Sequence, residues 1–287
     1  MLAVMFGLFA ALCWSLHDLI ARRFAKTVGP YRMAVMTMSA GAVLLLAIVF
    51  WHGSLLQAET SSLKLALVLG MAYGIAVGCL FMAFSMAPVS IVGPFTAGYP
   101  ALVVVWGMIN GLSPTLLQGG AIIAVLTGAY IVGRMGPADG GLAAIAKGKL
   151  VPLILFCVLA EVCFAASVVM GQKIALHLGE FETTFLSRLP AALVLVPFAY
   201  RETPLQAGIS RNAWIGIFTM AAFDVVAVSG INYMGKLPNK EFGSMGISAY
   251  GAIATLLAMI ILKEKTTVWQ WVGIAMLSIG VAVLGSG

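Results

Sequence analysis

LCWSLHDLIARRF, Leu12 to Phe24, returns 150 residues later as VCFAASVVMGQKI, Val162 to Ile174. Cys13 stands opposite Cys163, Trp14 opposite Phe164, Ala21 opposite Gly171 and Arg23 opposite Lys173, so both copies keep a small polar core and a basic end. A second pair recurs at an offset of 152: LLQGGAIIAVLTGAYIVG (Leu116 to Gly133) against VWQWVGIAMLSIGVAVLG (Val268 to Gly285). There Gln118 faces Gln270, Gly128 faces Gly280 and Gly133 faces Gly285. The chain is a tandem duplication.

Of 287 residues, 62% are hydrophobic and only 9% charged, with a mean hydropathy of +1.06. No soluble domain of this size has that balance. Apolar runs of about 20 residues, the length a helix needs to cross roughly 30 Å of hydrocarbon, recur throughout. The alternation of a membrane barrel does not. The chain is therefore expected to be an all-α integral membrane protein. Its formal charge of +6 is dispersed over short loops, which suits membrane electrostatics and not nucleic acid. Cys13, Cys79, Cys157 and Cys163 lie inside apolar runs without CxxC spacing and read as small buried residues, so neither metal nor cofactor is expected. Met1 opens directly into an apolar run without a basic leader, which reads as a first membrane helix and not a cleaved signal peptide.

Counting runs broken by Gly, Pro and charge predicts ten helices, five in each half. They cover roughly Ala3 to Ala21, Met33 to Phe50, Leu63 to Met86, Ser90 to Ile109 and Leu116 to Arg134. The second set covers Leu150 to Gln172, Thr183 to Tyr200, Ala213 to Met234, Phe242 to Leu262 and Thr267 to Leu284. The expected division is a first repeat over 1–134, a Gly-rich linker over 135–149 and a second repeat over 150–287. With five helices in a half, the second copy enters the membrane from the opposite side. The repeats are thus inverted, an arrangement that places a site near the midplane between them. Pro88 and Pro238 punctuate the link between the third and fourth helices of each half. Gly93, Gly98, Gly243, Gly246 and Gly251 thin the fourth helices, which permits close packing or flexing.

An ionisable group within hydrocarbon costs about 2.5 to 3.5 kcal/mol on insertion scales, so each one asks for a reason. Glu161 lies about 18 Å beyond Lys149 along a helix, near the bilayer centre, with no basic residue three or four positions away. A role in proton coupling or in binding a substrate amine stands against that of a hydrogen-bonded packing acid. Asp224 poses the same question in the eighth helix. Asp18 has Arg22 four residues on, which favours an ion pair at the membrane surface, and neighbouring His17 reads first as hydrogen-bonded structure and second as a proton relay. Asn232 and Tyr233 offer hydrogen bonds to a substrate or between helices. Trp51, Trp214, Trp269 and Trp271 flank the runs as interfacial belts. Trp14, Tyr73, Phe81, Phe84, Tyr99, Phe164 and Tyr250 lie deeper, as packing or as walls of an apolar cavity, and Trp14 and Phe164 gain weight by being repeat-equivalent.

Together these features resemble the drug/metabolite transporter superfamily, and within it the ten-helix EamA-type exporters. The resemblance rests on the five-plus-five duplication, the LCWS segment and MIILKEKTTVWQWVGIAMLSIGVAVL, Met259 to Leu284, with its acidic link at Glu264 followed by Gln270, Gly273 and Gly280. The first half departs from it, with Leu112 where Glu264 would align and Met38 where Arg188 would. The resemblance implies an inner-membrane secondary carrier, commonly exporting amino acids or other small metabolites. It also implies a cavity lined by the first, third and fourth helices of each half. Substrate-binding candidates are Trp14, Tyr73, Tyr99, Phe164, Asn232 and Tyr250; proton-coupling candidates are Glu161, Asp224 and His17. The expected partners are the lipid bilayer, a small uncharged or zwitterionic substrate moved by alternating access, and protons; the expected unit is a monomer.

Competing readings are weaker. Phosphate-bearing cargo needs Lys or Arg in the cavity, and only Arg188 falls within a helix. Export of varied drugs remains an alternative. An intramembrane aspartyl protease would use Asp18 and Asp224, but their contexts lack the paired motifs of that chemistry, and an enzyme leaves the duplication unexplained. Lys and Arg concentrate in loops away from the termini, which by the positive-inside rule puts the termini outside the cytoplasm. The resemblance implies the reverse.

Overall fold

In hydrocarbon every backbone N–H and C=O must be satisfied within its own segment, so long apolar runs become helices. The computed structural model describes residues 1–52, 58–86, 92, 98–134, 148, 150–202, 208–261 and 266–286; Pro88, Gly93, Glu264 and nearly all of 135–149 lie outside the described residues. The first half contains α1 (Leu2–Val28), α2 (Pro30–His52), α3 (Thr60–Met86), α4 (Tyr99–Ile109) and α5 (Leu116–Arg134). The second contains α6 (Leu150–Leu178), α7 (Glu180–Arg201), α8 (Arg211–Tyr233), α9 (Lys240–Ile247), α10 (Tyr250–Ile261) and α11 (Val268–Ser286). α9 and α10 form one span, so the protein crosses the membrane with ten helices in two inverted five-helix repeats.

Several helices run longer than hydropathy predicts. α1 continues to Val28 and α6 to Leu178, because amphipathic turns carry the helix past the apolar run. The reverse holds in the ninth span, predicted as continuous from Phe242 to Leu262 but broken at Ser248 and Ala249. The amides of those two residues bond only three positions back, to Met245 and Gly246. Ser15 of α1, whose hydroxyl lies 2.7 Å from Ala11 O, also comes within 3.2 Å of the carbonyl of Tyr250, so α1 covers the break. Such a break survives at membrane depth only where protein covers it.

The duplication is visible at atomic detail. The α1–α2 and α6–α7 turns each pivot on a glycine in the left-handed region, Gly29 and Gly179, both at φ 93°. α5 and α11 each begin with the same reciprocal cap. Thr115 N–H donates to Gln118 Oε1 at 2.9 Å while Gln118 N–H donates to Thr115 Oγ1 at 3.2 Å. Thr267 and Gln270 do the same at 2.9 and 3.2 Å. Contacts between halves come in swapped pairs. α3 packs on α6 as α8 packs on α1, α3 on α7 as α8 on α2, and α4 on α6 as α9 and α10 on α1. α2 pairs with its own counterpart α7, and α5 with α11.

Large apolar side chains such as Leu116, Trp51 and Ile109 point outward toward lipid, and much of the interior is built from alanine and glycine. This is the membrane pattern, in which close backbone approach replaces hydrophobic burial as the packing force. At the α5–α11 seam a Cβ on Gly128 would sit 2.6 Å from Gly273 O and 2.7 Å from Leu277 N. Gly128→Ala should therefore force the two backbones apart, at about 1–3 kcal/mol. In thermal unfolding in detergent it should lower the midpoint, whereas Gly119→Ala, with nothing within 4 Å of the new methyl, should not. Equal behaviour of the two variants would remove the seam from the account.

Candidate functional site

A carboxylate in the membrane interior needs a counter-ion and donors, and Asp224 on α8 draws them from three other helices. Its Oδ2 stands 2.9 Å from Nη2 of Arg188 on α7. Its Oδ1 accepts from Trp14 Nε1 of α1 and from Tyr73 Oη of α3, each at 3.2 Å. Arg188 is 0% exposed and Asp224 5%. The guanidinium carbon also lies 5.2 Å from the centre of the Tyr73 ring, a cation–π distance. Arg188 Nε and Nη1 are buried and have no hydrogen-bond partner among the described residues.

Arg188, Trp14 and Tyr73 border a narrow pocket between the halves, about 30 Å3 in this conformation, with Asp224 behind them. Trp14, Tyr73, Tyr99 and Phe164 supply aromatic walls, with Leu69, Val168, Val228 and Ile231 between them. Phe164 contacts both Tyr73 and Tyr99, at ring-centre separations of 5.9 and 5.6 Å. The polar lining is Arg188, Ser187, Ser167 and Asn232. Asn232 is held by Thr184, whose Oγ1 accepts from Asn232 Nδ2 and Ser229 Oγ at 3.0 Å each and donates to Glu180 O at 2.7 Å. With its hydrogen and both lone pairs engaged, Thr184 fixes the amide in place.

Five of the residues singled out in the sequence, Trp14, Tyr73, Tyr99, Phe164 and Asn232, thus meet at one cavity. Tyr250 does not join them. Its hydroxyl donates to Asp18 Oδ2, and Asp18 Oδ1 lies 2.8 Å from His17 Nδ1, so His17, Asp18 and Tyr250 form a separate link between α1 and α10. The expected Asp18–Arg22 pair involves a side chain outside the described residues. Asp224 stands behind Arg188, Trp14 and Tyr73 and is not itself part of the lining.

Glu161 is likewise off the cavity, one helical turn before Phe164 on the same face of α6. It is 8% exposed, and its Oε1, like the nearby Tyr99 hydroxyl, has no hydrogen-bond partner among the described residues. Both sequence questions therefore have structural replies: Asp224 is paired across helices, whereas Glu161 is without a counter-ion there. The cavity draws on the first and third helices of both halves as expected. It uses the fourth helix only in the first half and adds α7. Arg188, marked in the sequence only as the one basic residue inside a helix, is the missed member. An isolated Arg with no acid at helical spacing was the available signal. The aspartyl-protease reading loses its geometry, since Asp224 is bonded to Arg188, Trp14 and Tyr73 and not to a second carboxyl.

Residues 1–134 and again 151–286 match the EamA-like transporter family. No curated protein sequence matches significantly. A solved structure, titled only as the crystal structure of a protein, is similar over 98% of this chain and 95% of its own, with a TM-score of 0.82 and 18% identity. At that identity the likeness concerns fold alone.

Removing one member of the buried pair should be far worse than removing both charges. Asp224→Asn leaves Arg188 without its counter-ion, at about 3–5 kcal/mol. Thermal unfolding of purified protein should show a large drop for Asp224→Asn and substantial recovery when Arg188→Gln is added. A double variant as unstable as the single one would contradict the pairing.

Proposed function

Because the chain belongs to the EamA-like transporter family and is a multi-pass membrane transporter, we propose that it is a secondary carrier of small metabolites, foremost hydrophobic or aromatic amino acids, exported by alternating access. The observation that carries this reading is the cavity itself: aromatic on most sides, polar at a few fixed points, and built from both halves of an inverted duplication. Trp14 and Phe164, equivalent in the repeats, both line it from α1 and α6, and on this reading they bracket the cargo. Burial of a bulky apolar side chain is worth about 1.5–3 kcal/mol, enough to favour such cargo over small polar cargo by about tenfold or more. The chemistry is binding and release, with the two repeats rearranging around the site.

Counterflow in proteoliposomes tests this with labelled amino acids graded by side-chain size. The wild-type protein should exchange phenylalanine and leucine well and alanine poorly. Trp14→Ala or Phe164→Ala should depress the bulky substrates most at unchanged protein levels. Equal losses across sizes would make these aromatics packing and not recognition, and exchange of cationic drugs but no amino acid would favour multidrug export.

Proton coupling is assigned to Glu161, on the strength of a carboxyl near mid-membrane without a counter-ion among the described residues. Glu161→Gln should abolish accumulation driven by a pH gradient while sparing counterflow. A variant that still concentrates substrate as the wild type does would move the coupling elsewhere, with Asp224 and then His17 next in line.

A further inference from the structure

A fully buried arginine is costly to keep in a membrane, and one carboxylate satisfies only part of it. Arg188 lines the cavity, yet the only ion pair it makes among the described residues is through Nη2 to Asp224, at 2.9 Å. Nε and Nη1 are buried and lack hydrogen-bond acceptors among the described residues. If the arginine served structure alone, those donors would be satisfied by carbonyls or hydroxyls, as buried polar groups are in finished cores. The nearby serine hydroxyls turn their hydrogens to backbone carbonyls, Ser187 Oγ to Thr184 O at 2.8 Å and Ser167 Oγ to Cys163 O at 2.7 Å, and neither oxygen accepts from Nε or Nη1.

We infer that Arg188 is the anchor for a carboxylate on the cargo, held from behind by Asp224, so that the cavity selects carboxylate-bearing molecules and rejects amines that lack one. This rests on the amino-acid carrier reading and names the group on the cargo that the protein grips. A guanidinium presents two planar forks, Nε with one Nη2 hydrogen and Nη1 with the other, so with Asp224 on one side of Nη2 the other fork is left for a carboxylate to match with two bonds. Asp224, together with the Tyr73 ring, fixes the plane of the fork. Charge supports the same selection. Arg188 and Asp224 cancel, so a zwitterion enters a neutral site with its carboxylate against Arg188. A monocation brings an uncompensated positive charge against the same residue.

The test is ligand-induced thermal stabilisation of the purified full-length chain, with L-phenylalanine, 3-phenylpropionate, L-phenylalaninamide and phenethylamine as probes. Loss of a charge-assisted bidentate contact is worth about tenfold or more in affinity. Phenylalanine and 3-phenylpropionate should therefore stabilise the protein at concentrations about tenfold or more below the amide and the amine. In the double variant Arg188→Gln with Asp224→Asn, which leaves no charge of the pair unpaired, acid and amide should shift the midpoint equally. Arg188→Lys, which keeps the charge and the pairing but loses the fork, should weaken the acids several-fold, and this variant decides the matter should the double one not fold. Equal stabilisation of the wild type by acid and amide, no stabilisation by any acid, or unchanged discrimination in the variants overturns the proposal. Acid-specific stabilisation without counterflow of any amino acid would sink the transport reading and leave the anchor standing.

Discussion

A carboxylate cannot stand alone in hydrocarbon, and the way Asp224 is satisfied ties the centre of this protein together. Its two oxygens reach α1, α3 and α7 through Trp14, Tyr73 and Arg188. The bonds differ in kind. Arg188 and Asp224 both belong to the second repeat, so the ion pair, the costliest contact to break, lies within one half. Trp14 and Tyr73 belong to the first repeat and contribute neutral donors. Hydrogen bonds to a charged group are worth about 1.5–3 kcal/mol each, less than the ion pair costs to break. The strong link lies within a repeat and the weaker ones lie across the division.

The duplication supplies the frame and its divergence supplies the site. At the repeat offset of 150 residues, Gly74 stands where Asp224 does, Met38 where Arg188 does and Phe223 where Tyr73 does. Matched glycine turns and matched threonine–glutamine caps persist in both halves, because each half must make the same bends and start the same helices. The charged pair does not persist, because an inverted second copy would double the cost of burying charge. The polar centre is therefore one-sided within a nearly two-fold scaffold.

Much of this was legible in the residues. Hydropathy and spacing located ten spans, and the two conserved-length repeats made their inversion a matter of counting. The aromatic wall was also within reach, since Trp14, Tyr73, Tyr99 and Phe164 are large residues well inside apolar runs. What periodicity could not give was pairing across helices. Asp224 and Arg188 lie 36 positions apart, and nothing local joins them. Tyr250 failed as a cavity residue for a related reason: the break at Ser248 and Ala249 sets it beside Asp18, and a hydropathy reading runs smoothly through that break.

For the proposed carrier, selection is set by charge balance before shape. With Arg188 and Asp224 mutually neutralised, the lining offers no net charge and no free acid, so a cationic cargo must be desolvated without a counter-ion, at several kcal/mol per ion. Serine hydroxyls and the Asn232 amide soften that cost only slightly. A molecule whose own charges cancel escapes it, and the aromatic walls then reward each apolar atom it carries. The same balance explains why a phosphate ester suits this site poorly even though an arginine faces it: two negative charges would meet one positive charge that Asp224 already holds.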